Sequence, residues 1–326
     1  MAHRSLAIGL NFVDPAAYDG WDGQLAACER DADDMFAIAK GQGYEARMLK
    51  REQATSANVL RELAEAAATV KAGEHFFVSY SGHGGQVPDT NGDEPDNFDE
   101  TWCLHDRMLL DDELYAMWAR FPAGARIFVL SDSCHSGSVT RDRIRPRPTD
   151  MRGEMRPKWL PLAKSESIYK NRKSMFDSIQ QLAGPAEKQS VGASIILISG
   201  CRDDQVSYDG PVNGAFTTQV LKLWNSGAFR GSIRQFQEQV SAALNGSQSP
   251  QYFLAGTVDR STCCPARTTT PSSTIGSIPI STPLAARTAK VRSAPGSPAR
   301  TSSCPSRQGR SPTASTSSAT RTSSRT

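Results

Sequence analysis

Apolar residues dominate the start of the chain from Leu6 to Val13, interrupted at Asn11 and ended by Asp14-Pro15. Short runs of this kind then alternate with stretches in which apolar residues recur at helical spacing. The pattern predicts strands over Ser5–Val13, Tyr44–Leu49, His75–Ser81, Arg126–Ser131 and Ala193–Ser199, and helices over Asp22–Lys40, Asp111–Phe121 and Phe216–Trp224. Val59, Leu60, Leu63, Ala67 and Val70 fall on one helical face behind Thr55 or Ser56, either of which suits a helix cap. Ile233, Phe236, Val240 and Leu244 define a last helix, and Tyr252–Leu254 is a candidate closing strand. Strands alternating with helices imply an α/β fold of three layers, a mainly parallel sheet with helices on both faces, and a working site at the carboxyl ends of the strands. The first strand starts almost at Met1, so no pro-segment is expected before it.

Two segments break the rhythm. Thr140–Ser190 holds twelve Lys/Arg against six Asp/Glu, with four prolines before position 162, and its lack of sustained periodicity predicts a long insertion or linker loop. From Ser261 to Thr326 nine of the chain's 37 bases appear with none of its 34 acids, and 29 of these 66 residues are Ser or Thr. Such a tail has too little apolar surface to offset the entropy of ordering and is expected to be disordered, although its abrupt bias would also suit translation in a wrong reading frame. The overall net charge of +3 is therefore an average: without the tail the chain carries −6, and without the insertion as well −12. An acidic body gives no support to a nucleic-acid role. No apolar run approaches the roughly 20 residues of a membrane span. The seven cysteines, at 28, 103, 134, 201, 263, 264 and 304, form no CxxC pair, which argues for reduced thiols and a cytoplasmic setting.

The ends of two predicted strands carry the candidate chemistry. Phe76–Ser81 runs into Gly82-His83-Gly84-Gly85, and Ile127–Ser131 runs into Asp132-Ser133-Cys134-His135-Ser136-Gly137. If the strands are neighbours, an imidazole and a thiol face each other across the crevice, the minimal apparatus for attack of a thiolate on a carbonyl. The glycines around His83, Gly84 among them, let backbone N–H groups approach a developing oxyanion, with the amide of Cys134 as the second donor. Taken singly, a cysteine at a strand end is commonly a small core residue and a histidine in a glycine turn a turn residue. The two motifs together, in this order and 51 residues apart, carry the case.

Tyr80-Ser81-Gly82-His83-Gly84-Gly85 and Asp132-Ser133-Cys134-His135-Ser136-Gly137 resemble the signature segments of metacaspases and bacterial caspase-like cysteine peptidases, members of the caspase-fold clan. The similarity runs from Leu6 to about Asp259 and takes in Ser199–Gln205 and Gly214-Ala215-Phe216-Thr217, which implies a caspase-like peptidase domain over 1–260. It implies His83 and Cys134 as the catalytic dyad. Caspases set their cysteine in Gln-Ala-Cys-Arg/Gln-Gly, absent here, so cleavage after Asp is not implied. Metacaspases line their primary pocket with acids at positions matching Asp31 and Asp132, with Cys28 and Ser81 as walls. Two carboxylates in a narrow cleft favour a cation, hence cleavage of protein or peptide substrates after Arg or Lys.

Ten acids and one base lie between Asp89 and Glu113. The run resembles the calcium loop of calcium-activated metacaspases, and oxygen-rich ligation suits Ca²⁺. Asp99, Asp111 and Asp112 are the expected ligands, with Asp96 as an alternative; a further acid expected seven residues after the cysteine is replaced by Arg141, beside Asp142. A basic insertion hanging from such an enzyme suggests autoprocessing within 140–190. The resemblance also implies a monomer without further cofactors. A second function class stays open, a catalytically inactive caspase-fold interaction module. Nucleotide binding is remote, since neither GxGxxG nor GxxxxGK[ST] is present.

Overall fold

The computed structural model describes residues 3–92, 94, 96–134, 155–185, 189–202 and 205–257, all within a compact unit spanning 1–281. The 261–326 tail, the first part of the insertion to residue 154, and with it Arg141 and Asp142, lie outside the described residues.

Six strands form the central sheet: β1 (Arg4–Gly9), β2 (Glu45–Lys50), β3 (His75–Ser81), β7 (Arg126–Asp132), β9 (Ser194–Ser199) and β11 (Gln251–Gly256). They lie in the order β11-β9-β7-β3-β1-β2, parallel throughout except for the antiparallel pair of β11 with β9. Alternating side chains feed two apolar layers, as the two-residue period of a strand requires. Leu6, Ile8, Phe76, Val78, Ile127 and Val129 meet α2 (Ser56–Thr69) and α3 (Asp111–Trp118) on one face. Ala7, Leu130 and Ile198 meet α1 (Cys28–Gly41), α6 (Ala215–Trp224) and α7 (Ile233–Ala243) on the other. The α/β three-layer expectation holds, and Thr55 is the residue that caps α2, its side chain accepting from the Asn58 amide.

Two elements lie outside the strands and helices expected from the pattern. A small antiparallel sheet, β4 (Gly84–Pro88), β5 (Phe98–Cys103) and β6 (Met108–Leu110), follows the His83 turn. The insertion, expected to be a loop, carries regular structure within its described residues 155–185: β8 (Arg156–Pro157) pairs antiparallel with β10 (Tyr208–Asp209), and α4 (Leu162–Asn171) and α5 (Lys173–Ala183) follow. Leu160, Ile168, Tyr169 and Phe176 bury themselves with Val87, Met108 and Leu110 of the small sheet. Met175, Phe176 and Ile179 do recur at helical spacing in α5, which holds a single base, but each of these two helices is short; the face becomes worth burying because the small sheet is there to receive it. The first long helix also starts later than predicted, at Cys28, because 11–27 form turns closed by backbone bonds such as Val13 N to Asp22 O and Leu25 N to Asn11 O.

Close packing aims α1 at the sheet edge. A methyl group at Gly9 would collide with the Cys28 carbonyl and with Ala32 Cβ, so glycine lets the start of α1, with Cys28 and Asp31, lie directly on the end of β1.

Candidate active site

Neighbouring parallel strands β3 and β7 set Ser81 opposite Asp132, so the turns bearing His83 and Cys134 leave the sheet side by side, each two residues beyond that pair. The His83 turn is held from behind. Its carbonyl accepts from the Tyr80 hydroxyl at 2.6 Å and from the Cys103 amide at 2.9 Å, and Tyr80 stacks on Trp102 with centroids 4.6 Å apart. His83 is buried, packs edge-on to Trp21, and bonds through Nε2 to the Gly23 carbonyl at 2.9 Å. A carbonyl can only accept, so Nε2 carries the proton and Nδ1 the lone pair. Gly23 adopts φ +57°, and a Cβ there would press on the Trp21 and His83 rings, which is why glycine delivers this carbonyl. Burial, reinforced by the nearby Lys158 charge, lowers the imidazole to about 4 against the opposing pull of the Gly23 and Trp159 backbones, which leaves it neutral at pH 7 with a free lone pair on Nδ1.

Cys134 is buried, and its thiol donates to the Gln205 carbonyl at 2.7 Å. The backbone amides of Cys134 and Gly84 converge on one oxygen, the carbonyl of Lys158, each at 3.1 Å. Two amide donors aimed at a single carbonyl beside a thiol are the geometry required to stabilise a tetrahedral oxyanion, and Gly84 and Cys134 are the residues expected to supply them.

The side chain of the same Lys158 is fully buried. Its Nζ lies 2.9 Å from Asp132 Oδ2, 3.2 Å from Asp31 Oδ2 and 2.9 Å from Ser81 Oγ, so the structure brings together three of the four residues read as the pocket. Ser81 in turn donates to Asp31 at 2.7 Å. Burial alone would lower the Lys158 ammonium, but Asp132, Cys28, Asp31 and Asp209 outweigh it and hold the group well above its usual range. Burial raises Asp31, with Lys158 opposing and Asp132 reinforcing. Cys28, the fourth, is fully buried within reach of the Lys158 and Asp31 charges and of Ser81, its thiol raised well above normal by burial and 3.8 Å from Asp209 Oδ1.

Several members of the site carried no signal of their own in the sequence. Ser207 and Thr217 donate to Asp132 at 2.6 and 2.8 Å, Gly214 N and Asn213 Nδ2 donate to Asp31 at 3.0 and 2.9 Å, and Asp209 accepts from the amides of Ala26 and Ala27. Gly214 and Thr217 stand in the quoted Gly214–Thr217 segment; Lys158 and Asp209 belong to no motif at all. Among the described residues Cys28, Cys103, Cys134 and Cys201 are buried free thiols.

The acidic run folds into the small sheet and the start of α3. Glu94, Glu100 and Asp111 bring carboxylate oxygens within 4.8 Å of one another. Asp99 and Asp112 are buried beside them, and burial together with Glu100, Asp99, Asp112 and Glu94 pushes the Asp111 carboxyl well up. Of the expected ligands Asp111 stands in this group, joined by Glu94 and Glu100, which were not expected; Asp99 and Asp112 act on it as neighbouring charges, with Asp112 Oδ2 accepting from Asn91 Nδ2 at 2.7 Å, and Asp96 is not among them. Asp96 accepts from the Phe98 amide in an exposed turn instead, because a carboxylate two residues before an amide closes a local Asx turn at little cost.

Comparison with known proteins matches a family model, the caspase domain, to residues 6–260. Metacaspase-1 of Mycosarcoma maydis is 28% identical over 257 residues, 68% of this chain and 62% of that protein. Metacaspase-1 of Coccidioides immitis is 29% identical over 248 residues, 66% of this chain and 52% of that protein. The chain thus spans between about half and two thirds of the length of these relatives. A crystal structure of a Geobacter sulfurreducens protein is 43% identical with a TM-score of 0.73, covering 81% of this chain and 97% of that one. Among the described residues no helix is long and apolar enough to cross a membrane.

Proposed function

Since the chain belongs to the caspase-domain family, we propose that it is a cysteine endopeptidase that cleaves proteins or peptides after Arg or Lys, is stimulated by calcium, and processes itself within 140–190. The observation that carries this reading is the coincidence at Lys158: its ammonium between Asp31 and Asp132, and its carbonyl on the amides of Gly84 and Cys134. A basic residue held at both ends in this way is held as the residue before a scissile bond would be.

The chemistry follows from the residues. His83 Nδ1 takes the Cys134 proton, and the thiolate adds to the substrate carbonyl carbon while the two amides take up the oxyanion charge. The imidazolium then gives its proton to the leaving amine as the C–N bond breaks. Water, deprotonated by His83, releases the acyl group from sulfur.

The carboxylates of Glu94, Glu100 and Asp111 fit a hard cation, since all are oxygen donors within 4.8 Å of one another, and burial together with the neighbouring acids holds the Asp111 carboxyl up. Bound calcium would supply charge neutralisation there. The cluster sits one strand from the site, because β5, which carries Asp99 and Glu100, pairs with β4, which starts at Gly84.

The competing reading, an inactive interaction module, draws on the thiol's bond to Gln205 and on a pocket already filled. Labelling with a thiol-reactive peptide ending in Arg decides between them. The expected result is an adduct on Cys134, formed faster with calcium than with a chelator and absent with a peptide ending in Asp. No adduct under any condition would leave the module; equal rates with calcium and chelator would remove the metal.

A further inference from the structure

Residues 156–160 lie in the cleft as an extended chain from one side of the nucleophile to the other. Arg156 and Pro157 pair antiparallel with Asp209 and Tyr208, and the Lys158 amide donates to the Ser207 carbonyl at 2.9 Å. Lys158 then places its carbonyl on the Gly84 and Cys134 amides and its ammonium between the two carboxylates. Beyond it the Leu160 amide donates to the Gly84 carbonyl at 2.7 Å, and Trp159 packs against the cluster of Cys134, Cys201 and Val206. Backbone pairing before the carbonyl, donors on the carbonyl and a continuing chain after it are the three elements of substrate recognition in an extended peptide. Burying a lysine completely is costly, and the ammonium would be better solvated outside; the ion pairs with Asp31 and Asp132, supported by the nearby Asp209, offset that cost.

We infer that Lys158–Trp159 is the bond this protein cuts in itself, and that while it is intact residues 156–160 keep the cleft closed to other substrates. The inference rests on the peptidase reading above and adds the bond and the regulation. In the step, the Cys134 proton passes to His83 Nδ1 and a bond forms between Sγ and the Lys158 carbonyl carbon. The bond from that carbon to the Trp159 nitrogen breaks, the imidazolium proton goes to that nitrogen, and Trp159 becomes a free amino terminus. Water then adds to the thioester, its proton going to His83; the carbon–sulfur bond breaks, Lys158 is left as a carboxylate and Cys134 regains a proton. Before the step the thiol is turned to the Gln205 carbonyl, so a rotation of the Cys134 side chain must precede attack.

The test uses the full chain with calcium, followed by intact mass, amino-terminal sequencing of the products, hydrolysis of a separate Arg reporter peptide and labelling of Cys134. The wild type is expected to give a fragment beginning at Trp159, with reporter hydrolysis rising in step with the cut, while Cys134→Ala stays whole. Trp159→Pro keeps Lys158 and every hydrogen bond named above, because none uses the Trp159 amide, but presents a bond to proline. It should stay whole and hydrolyse the reporter at least about tenfold more slowly than the cut wild type, the factor by which a mostly closed site reduces apparent affinity. A wild-type cut at any other residue, or full reporter hydrolysis by uncut protein, overturns the inference, and either decides it even if Trp159→Pro does not fold. Reporter hydrolysis without self-cleavage overturns the inference and leaves the peptidase reading standing; no hydrolysis and no labelling overturn both.

Discussion

Replacing Lys158 by Met tests the cation pocket without depending on turnover, provided the comparison is made in a Cys134→Ala background where no chain is cut. The substitution keeps the length of the side chain and removes the charge. At contacts of 2.9 and 3.2 Å each ion pair is worth about 5–6 kcal/mol gross at an effective dielectric near 20. That full sum is not lost, since removing the ammonium also removes its desolvation cost and the carboxylate pair can bind a proton in its place. Asp31 is the group to take it, because burial already raises its carboxyl. Protonating a carboxyl whose unfolded value is near 3.9 costs about 1.36 kcal/mol per pH unit above that value, which gives about 4 kcal/mol at pH 7 and about 2 kcal/mol at pH 5.5. The sign follows from linkage: a carboxyl raised in the folded state binds more protons there than when unfolded, so the variant's deficit grows as pH rises. At about 2–4 °C per kcal/mol for a domain of this size, thermal melts should show the variant about 8–16 °C below its parent at pH 7 and about half of that at pH 5.5. Equal melting temperatures, or a deficit independent of pH, would refute the buried ion triad.

Other consequences are more local. His83 and His75 are both held near 4 by burial, so unfolded protein binds more protons between about 4 and 6.5; stability should fall as pH drops through that window, by about 2 kcal/mol for His83 between pH 7 and pH 5, seen in urea titrations. Asp132→Asn deletes the charge at nearly constant shape: its oxygen can still accept from Ser207, while the Thr217 hydroxyl, which donates to the other carboxylate oxygen, must turn to accept from the amide. It should lower kcat/KM for an Arg reporter by about 10²–10³, as expected for loss of a buried charge partner, and change that for a citrulline reporter little; equal losses on both would count against charge recognition. Gly214→Ala would drive a methyl group into Asp132 Oδ2 and Lys158 Nζ, so a cost of about 1–3 kcal/mol is expected in melts, and an unchanged melting temperature would contradict that packing. Asp111→Asn should stabilise the calcium-free protein by on the order of 1 kcal/mol and abolish any calcium-induced rise in melting temperature, since it removes a carboxyl that burial, and after it the neighbouring acids, hold up.

How much of this was legible beforehand follows from the range of each interaction. Strands His75–Ser81 and Arg126–Asp132 declared themselves by uninterrupted apolar runs, and a parallel sheet brings the carboxyl ends of its strands to one edge, so His83, Cys134, Ser81 and Asp132 could be grouped from the sequence alone. The capping residue Thr55 and the general place of the acidic loop were local matters too. What the sequence left open was decided by contacts far apart along the chain. Lys158 is 127 residues from the Asp31 it pairs with, and nothing in its neighbourhood marks it among the other bases of the segment. Glu94 and Glu100 reach Asp111 only once β5 and β6 have paired, whereas Asp96, nearer in the acidic run, spends its carboxylate on its own turn. Helices α4 and α5 are short, and their apolar face has a partner only after the small sheet is built, so the basic composition of the surrounding segment outweighed their period. The sequence by itself determined the layers and the pair of turns, through periodicities that span a few residues; the tertiary structure alone decided which cation fills the pocket and which carbonyl meets the two amides, because burial in a low-dielectric site depends on every surrounding element at once.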